Sequence, residues 1–313
     1  MPAADVNENS SSTGWYTSEV QKMMHGFGDS KHPLKETAEL AEKIVKEQLI
    51  QLLNMLLEVS AKINSKKIDV KEFLILLRHN PVKLRRFCTY LQVTEFKKYA
   101  KEDDGSKDIV DFTEFPTDSQ KLQSALAFLQ YIDPSCYLCN VADPTKPSPL
   151  LDDTLRERNE RIERMTSAMD VQQYLEYTKA KCTSFKRNQP SGKFQDWLLK
   201  DFSAPDVAMN ATTWSILSYF AYETIAQIVD LAFIVRRDNT AGQVNDAVER
   251  NVVPRVSPAN ADLSKPTWSN SMRPLQVAEV TEAIRRFNNT RNSMFAPFRR
   301  IGVPPPGYRL LAL

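Results

Sequence analysis

From Pro33 to Ile63 the chain runs about 31 residues with no further glycine or proline. At about 1.5 Å of rise per residue, this predicts a single helix roughly 45 Å long, with Pro33 suited to its first turn. Val45, Leu49, Leu52, Leu56, Val59 and Ile63 recur at alternating steps of four and three, while Lys43, Glu47, Gln51, Asn54, Glu58 and Lys62 track the opposite face. Ile50, Leu53 and Leu57 widen the stripe beyond a two-stranded seam. Such a helix must be covered on more than one side, and the six seam residues are the expected core of the pair it forms. Glu39 and Lys43, Glu42 and Lys46, and Glu58 and Lys62 are spaced as i,i+4 surface pairs, worth about 0.2 to 0.5 kcal/mol each.

Shorter helices flank it. Val20, Met23, Met24 and Phe27 mark one helix over Thr17 to Phe27, closed by Gly28. After a polar loop, Asp69 with Glu72 reads as a capping box opening a short helix through Phe73 to Leu77. Pro81 to Leu91 and Thr94 to Lys101 read as two further helices. The short-long-short order returns later, with Lys193 to Phe202, then Val207 to Arg237, then Pro274 to Phe287. Residues 1–14 are expected to be disordered, 15–100 to form the first unit with extra helices at its end, and 101–191 to form a helical linker. That linker holds a helix around Ser119 to Ile132 and a bracing helix or pair over Asp152 to Phe185. Residues 192–288 form the second unit, with a loop insertion at 238–273, and 289–313 read as a poorly ordered tail. Only 8 of 313 residues are glycine, which disfavours a many-stranded fold. The chain is read as all-α, its two units packed head to tail within one polypeptide. Burial of the six seam residues then contributes on the order of 10 kcal/mol before entropy, an upper value.

Several function classes fall away. Ile216 to Val235 is long enough to cross a bilayer, but Glu223 and Asp230 would sit near its centre at about 2.5 to 3.5 kcal/mol each. A buried helix of a soluble protein is expected, with no membrane. Met1 to Gly14 lacks the cationic start and apolar core of a signal peptide. Lys plus Arg number 41 against 39 Asp plus Glu, a net charge of +2, which gives no general field for nucleic acid. Cys136 and Cys139 form a C-x-x-C, but Cys88 and Cys182 are distant in sequence, so free thiols rather than a zinc site are expected. His25, His32 and His79 stand in separate segments, and no phosphate loop or nucleophile with its base is visible. No enzyme, cofactor or metal is expected.

The most informative polar feature is Glu223, Gln227 and Asp230, at i, i+4 and i+7 on the otherwise apolar second long helix. They are either a structural stripe, solvated or paired internally, or an acidic contact for a basic partner. Arginine pairs at 85–86, 236–237, 285–286 and 299–300 read as helix ends, where cations favour the dipole, rather than as histone-like DNA contacts.

Motifs at both ends carry a family resemblance. They are Met23-Met24, Pro33-Leu34-x-Glu36-Thr37, Ile44-Val45, Phe73 through His79, and Lys83, Arg86, Tyr90 and Leu91. Further on come Arg164-Met165-Thr166, Met169-Asp170, Phe194-x-x-Trp197, Tyr219-Phe220-Ala221-Tyr222-Glu223, and Leu275 through Glu282-Ala283. In order and extent they resemble the third suppressor-of-Ty family, the histone-fold subunit of the SAGA transcription coactivator, with two histone folds in one chain. Asn64 to Lys67 lacks that family's usual Gly and Arg, and Asn80-Pro81 departs from its usual Asp-containing start. The resemblance implies a nuclear, non-enzymatic subunit that joins other SAGA-type histone-fold subunits and contacts the TATA-binding protein, with Glu223 at the matching motif position. A purely architectural subunit and a DNA-binding protein are the alternatives.

Overall fold

A computed structural model describes residues 14–65, 67–102, 119–147, 150–167, 169–186, 189–190, 192–202, 208–243, 273–289 and 310–313. The described elements are α1 (Thr17–Gly26), α2 (Lys35–Ile63), β1 (Lys67–Ile68), α3 (Val70–Leu77), α4 (Pro81–Glu102), α5 (Gln120–Ile132), α6 (Tyr137–Ala142), α7 (Asp153–Thr166), α8 (Val171–Lys181), α9 (Lys193–Leu199), β2 (Ala208–Met209), α10 (Ala211–Gln243) and α11 (Val277–Asn289). Among the described residues the chain is all-α, with one two-residue strand pair. The expected disordered start, apart from Gly14, lies outside the described residues, as do 103–118 of the connector, 244–272 of the insertion and 290–309 of the tail.

The chain forms two compact units that do not follow its two sequence halves. The first takes residues 1–47, 161–200 and 221–301, the second 48–160, 201–220 and 302–313. Each unit therefore contains one part of α2 and one part of α10.

In the first unit α1, α9 and the start of α2 bury Tyr16, Val20, Met23, Met24, Ala38, Val45 and Trp197. The Tyr16 ring meets Phe185 at 5.0 Å and Trp197 at 5.2 Å. Glu42 is buried here, accepting from Tyr16 N at 3.1 Å and Thr17 Oγ1 at 3.1 Å, so it belongs to the α1 junction and not to the expected surface pair. The start of the first long helix meets the loop after the second: Thr37 Oγ1 donates to Leu275 O at 2.9 Å, and Leu275 N donates to Asp29 Oδ1 at 3.0 Å.

The second unit repeats this joint with the roles exchanged. Thr213 Oγ1, near the start of α10, donates to Ile68 O at 2.7 Å, and β1 runs parallel to β2 with Lys67 opposite Ala208 and Ile68 opposite Met209. One half of the capping box also recurs: Asp69 N donates to Glu72 Oε2 at 2.8 Å before α3, and Gln276 N donates to Glu279 Oε2 at 2.8 Å before α11. Head-to-tail pairing of the two repeats is visible in this exchange, made once inside each unit.

Several expectations need correction. Val45, Leu49, Leu52 and Leu56 are buried, Val59 is half-buried, and Ile63 is 47% exposed; Ser60 takes the inward position instead. At 3.6 residues per turn Ile63 still points the same way as Val45, so helical drift does not explain its exposure; it is the last residue of α2. Pro81 to Lys101 is one helix, since no breaker separates the two apolar runs. α10 begins only at Ala211, where Asn210 Oδ1 accepts from Thr213 N at 2.7 Å, because residues 208–209 are taken by the strand pair. It continues through Gln243, so 238–243 is helix and not insertion loop. The bracing segment is a pair, α7 and α8, divided before Asp170, whose side chain caps α8 through Gln173 N at 2.7 Å. Leu310, Leu311 and Ala312 are buried rather than part of a loose tail. The apolar window of α10 that is long enough for a bilayer is 72% buried inside the protein.

Candidate functional site on the second long helix

The part of α10 in the first unit is apolar because it is covered on most sides: Ile225, Ala226, Ile228, Val229 and Ala232 are fully buried. Its polar residues sit at the edge of that cover. Glu223 is 8% exposed and Asp230 9%, with Gln227 half-buried between them. Gln227 Nε2 donates to Glu223 Oε1 at 3.2 Å, so the i,i+4 spacing does join these two side chains.

Asp230 has a different role. Its carboxylate pairs with the guanidinium of Arg161 on α7, and both side chains are largely shielded from water. Arg161 also donates to Phe27 O through Nε at 3.2 Å and a terminal nitrogen at 3.0 Å, and it lies 4.5 Å over the Phe233 ring. One guanidinium thus ties α10 to the end of α1 and to the bracing helix. The glycine that ends α1 is part of the same joint: Gly28 has φ +105°, and a Cβ there would lie 2.8 Å from Arg161 Nε. Nearby, Phe27 packs on Tyr222 at 4.7 Å, and Tyr177 OH donates to Gly26 O at 3.0 Å.

The arginine pairs are equally engaged. Arg236 Nε and one terminal nitrogen grip Glu279 at 2.9 and 2.7 Å, and the fork also reaches Arg273 O and Pro274 O. Burial raises the Glu279 carboxyl, but hydrogen bonds from Arg236 and Gln276 outweigh it and hold the group below its ordinary value. Arg285 and Arg286 pair with Glu282, and Arg286 also reaches Asp238. Arg85 donates to the carbonyls of Val141 and Asp143 at 3.0 and 2.8 Å. Residues 299–300 lie outside the described residues.

One face of α4 carries the motif residues Lys83, Arg86 and Tyr90. Arg86 binds Asp152 through two bonds of 2.6 and 2.5 Å, Tyr90 OH donates to Ser215 O at 3.0 Å, and the Tyr90 ring stacks on Tyr219 at 4.2 Å. Lys83 reaches residues 311 and 313. Their spacing of three and four placed them on one face, but their partners are distant in sequence and could not be read from it. All four cysteines are free; burial pushes the Cys88 thiol up to about 12 and raises Cys139. Among the described residues no group of three or more His, Cys, Asp or Glu could hold a metal ion.

The family model of the transcription initiation factor IID 18 kD subunit matches residues 14–105. SAGA complex subunit Spt3 of Schizosaccharomyces pombe is 26% identical over 299 residues, 88% of this chain and 90% of the relative. The Drosophila melanogaster protein of the same name is 28% identical over 300 residues, 90% of this chain and 72% of the relative. Transcription initiation factor TFIID subunit 13 of Arabidopsis thaliana is 36% identical over 98 residues, 31% of this chain and 76% of the relative. With its two short-long-short repeats, the chain belongs to the histone-fold family that includes the initiation factor IID 18 kD subunit and SAGA complex subunit Spt3.

Proposed function

We propose that the chain is a nuclear, non-enzymatic transcription coactivator subunit that uses its paired histone folds to join a SAGA-type complex and contacts the TATA-binding protein. The observation that carries the first part is the similarity to SAGA subunits along nearly the whole chain, including both repeats and the helices between them. Other histone-fold subunits of such a complex are the partners this implies.

For the contact itself, Glu223 is the leading residue, with Gln227 beside it. Asp230 is drawn inward by Arg161, which favours an architectural role for that carboxylate. The engagement of Arg85, Arg86, Arg236, Arg285 and Arg286 in internal bonds supports protein partners over DNA, since binding to duplex rests on arginine and lysine offered to phosphates.

Capture of purified TATA-binding protein tests the contact. Glu223→Lys should weaken capture at least tenfold, and Glu223→Gln, which keeps a side chain of the same shape, should weaken it by less, both with melting unchanged. Full capture by both variants removes Glu223 from the contact; a collapse of melting makes it structural.

A further inference from the structure

Leu310–Leu313 is built into the second unit although it belongs to no helix or strand. Leu310, Leu311 and Ala312 are 5%, 1% and 6% exposed. The backbone is held at three points. Lys83 Nζ donates to Leu311 O at 2.5 Å and to Leu313 O at 2.9 Å, and Leu311 N donates to Gln48 Oε1 at 2.9 Å. Four residues held by three backbone bonds and two buried leucines have the form of a bound peptide ligand, in which main-chain bonds give affinity and buried side chains give selectivity. The receptor groups match it: an ammonium faces two backbone oxygens, and an amide oxygen faces an N–H. Three residues further along α2, Gln51 Oε1 is buried without a hydrogen-bond partner.

We propose that the groove between Gln48 of α2 and Lys83 of α4 is a docking site for a short apolar peptide, filled here by Leu310–Leu313 and open to a partner segment of the same chemistry. That chemistry is two adjacent leucines on a chain free to offer two backbone oxygens to Lys83 and one N–H to Gln48. A ligand carried on the same chain needs little intrinsic affinity, because its local concentration is on the order of millimolar. A partner segment of the same chemistry that binds more tightly can then displace it.

The test uses the full chain carrying Leu310→Ser and Leu311→Asp, which empties the groove, and a fluorescent peptide of residues 306–313 read by anisotropy. Saturable binding to this variant is expected, at least tenfold tighter than to the parent chain and at least fivefold weaker once Lys83→Met is added. Equal binding to the emptied variant and the parent, indifference to Lys83→Met, or no binding at millimolar peptide would overturn the proposal. Amide exchange on the parent chain gives a second reading. The Leu311 N–H should exchange at least a hundredfold faster than the amides of Leu52 and Leu56 in α2. An equally slow Leu311 amide, or an emptied variant that fails to fold, would make the segment part of the core and equally overturn the proposal.

Discussion

Asp29 sits where the loop after α1 meets the loop before α11, fully buried, with Oδ1 accepting from Ser30 N at 2.7 Å and from Leu275 N at 3.0 Å. Its Oδ2 and the Ser30 hydroxyl are buried without hydrogen-bond partners. Burial, only partly offset by those two N–H donors, raises its carboxyl from 3.8 to about 6. The folded chain therefore keeps a proton that the unfolded chain has lost between about pH 4 and pH 6, and stability falls as pH rises through that window. Above it the deficit stays at about 3 kcal/mol, from roughly two units at 1.36 kcal/mol each. Asp29→Asn should raise the melting temperature at pH 7.5 and flatten the pH 4 to 6 profile relative to the parent chain. His25, lowered by burial, contributes with the opposite sign in this range, so the difference between the two chains is the quantity to measure. Arg161 and Asp230 make the complementary case. Asp230→Ala leaves the guanidinium buried without its counter-ion and should cost about 3 kcal/mol in chemical denaturation, whereas Arg161→Met with Asp230→Leu should recover most of that loss. The sequence showed the carboxylate at its helical position, but the arginine comes from another helix 69 residues away, and no local spacing reports such a pairing.

At the scale of elements, helices were legible where the cause of their limits is local. The Asp69 capping box and the long α2 follow from neighbouring residues. Limits set from a distance were misplaced: α10 starts late because β2 pairs with a strand 141 positions earlier, Lys67 opposite Ala208. The two long helices are anchored at their starts by equivalent hydroxyls, Thr37 to Leu275 O and Thr213 to Ile68 O, both threonines being fully buried. Removing either leaves a carbonyl inside the protein with one partner fewer, at about 1 to 3 kcal/mol. We expect Thr37→Val and Thr213→Val to destabilise by similar amounts in urea titrations, and the double variant to show additive loss, since each joint lies within its own unit. On α4, Tyr90→Phe should cost about 1 kcal/mol by losing its bond to Ser215 O while keeping the stack on Tyr219.

At the scale of the molecule, the repeat in the sequence pointed to pairing, and the apolar seam pointed to a central helix that must be covered. The sharing of each long helix between the two units was not legible, because it depends on which end of each helix meets which loop. Chains comprising residues 14–191 and 192–313 alone each lack parts of both units. Expressed separately they should be insoluble or lack a cooperative melt, and expressed together they should be recovered as one complex on size-exclusion chromatography.

The exchanged joints also set a timetable for synthesis. Ala38, Ala41 and Val45 leave the ribosome early, whereas Arg236, Leu275 and Glu279, which complete the first unit, come some 200 residues later. At about 5 to 20 residues per second that interval is on the order of ten to forty seconds. For all of that time the start of α2 has only α1 to cover it, so the nascent chain gains from whatever in the cell shields apolar surface.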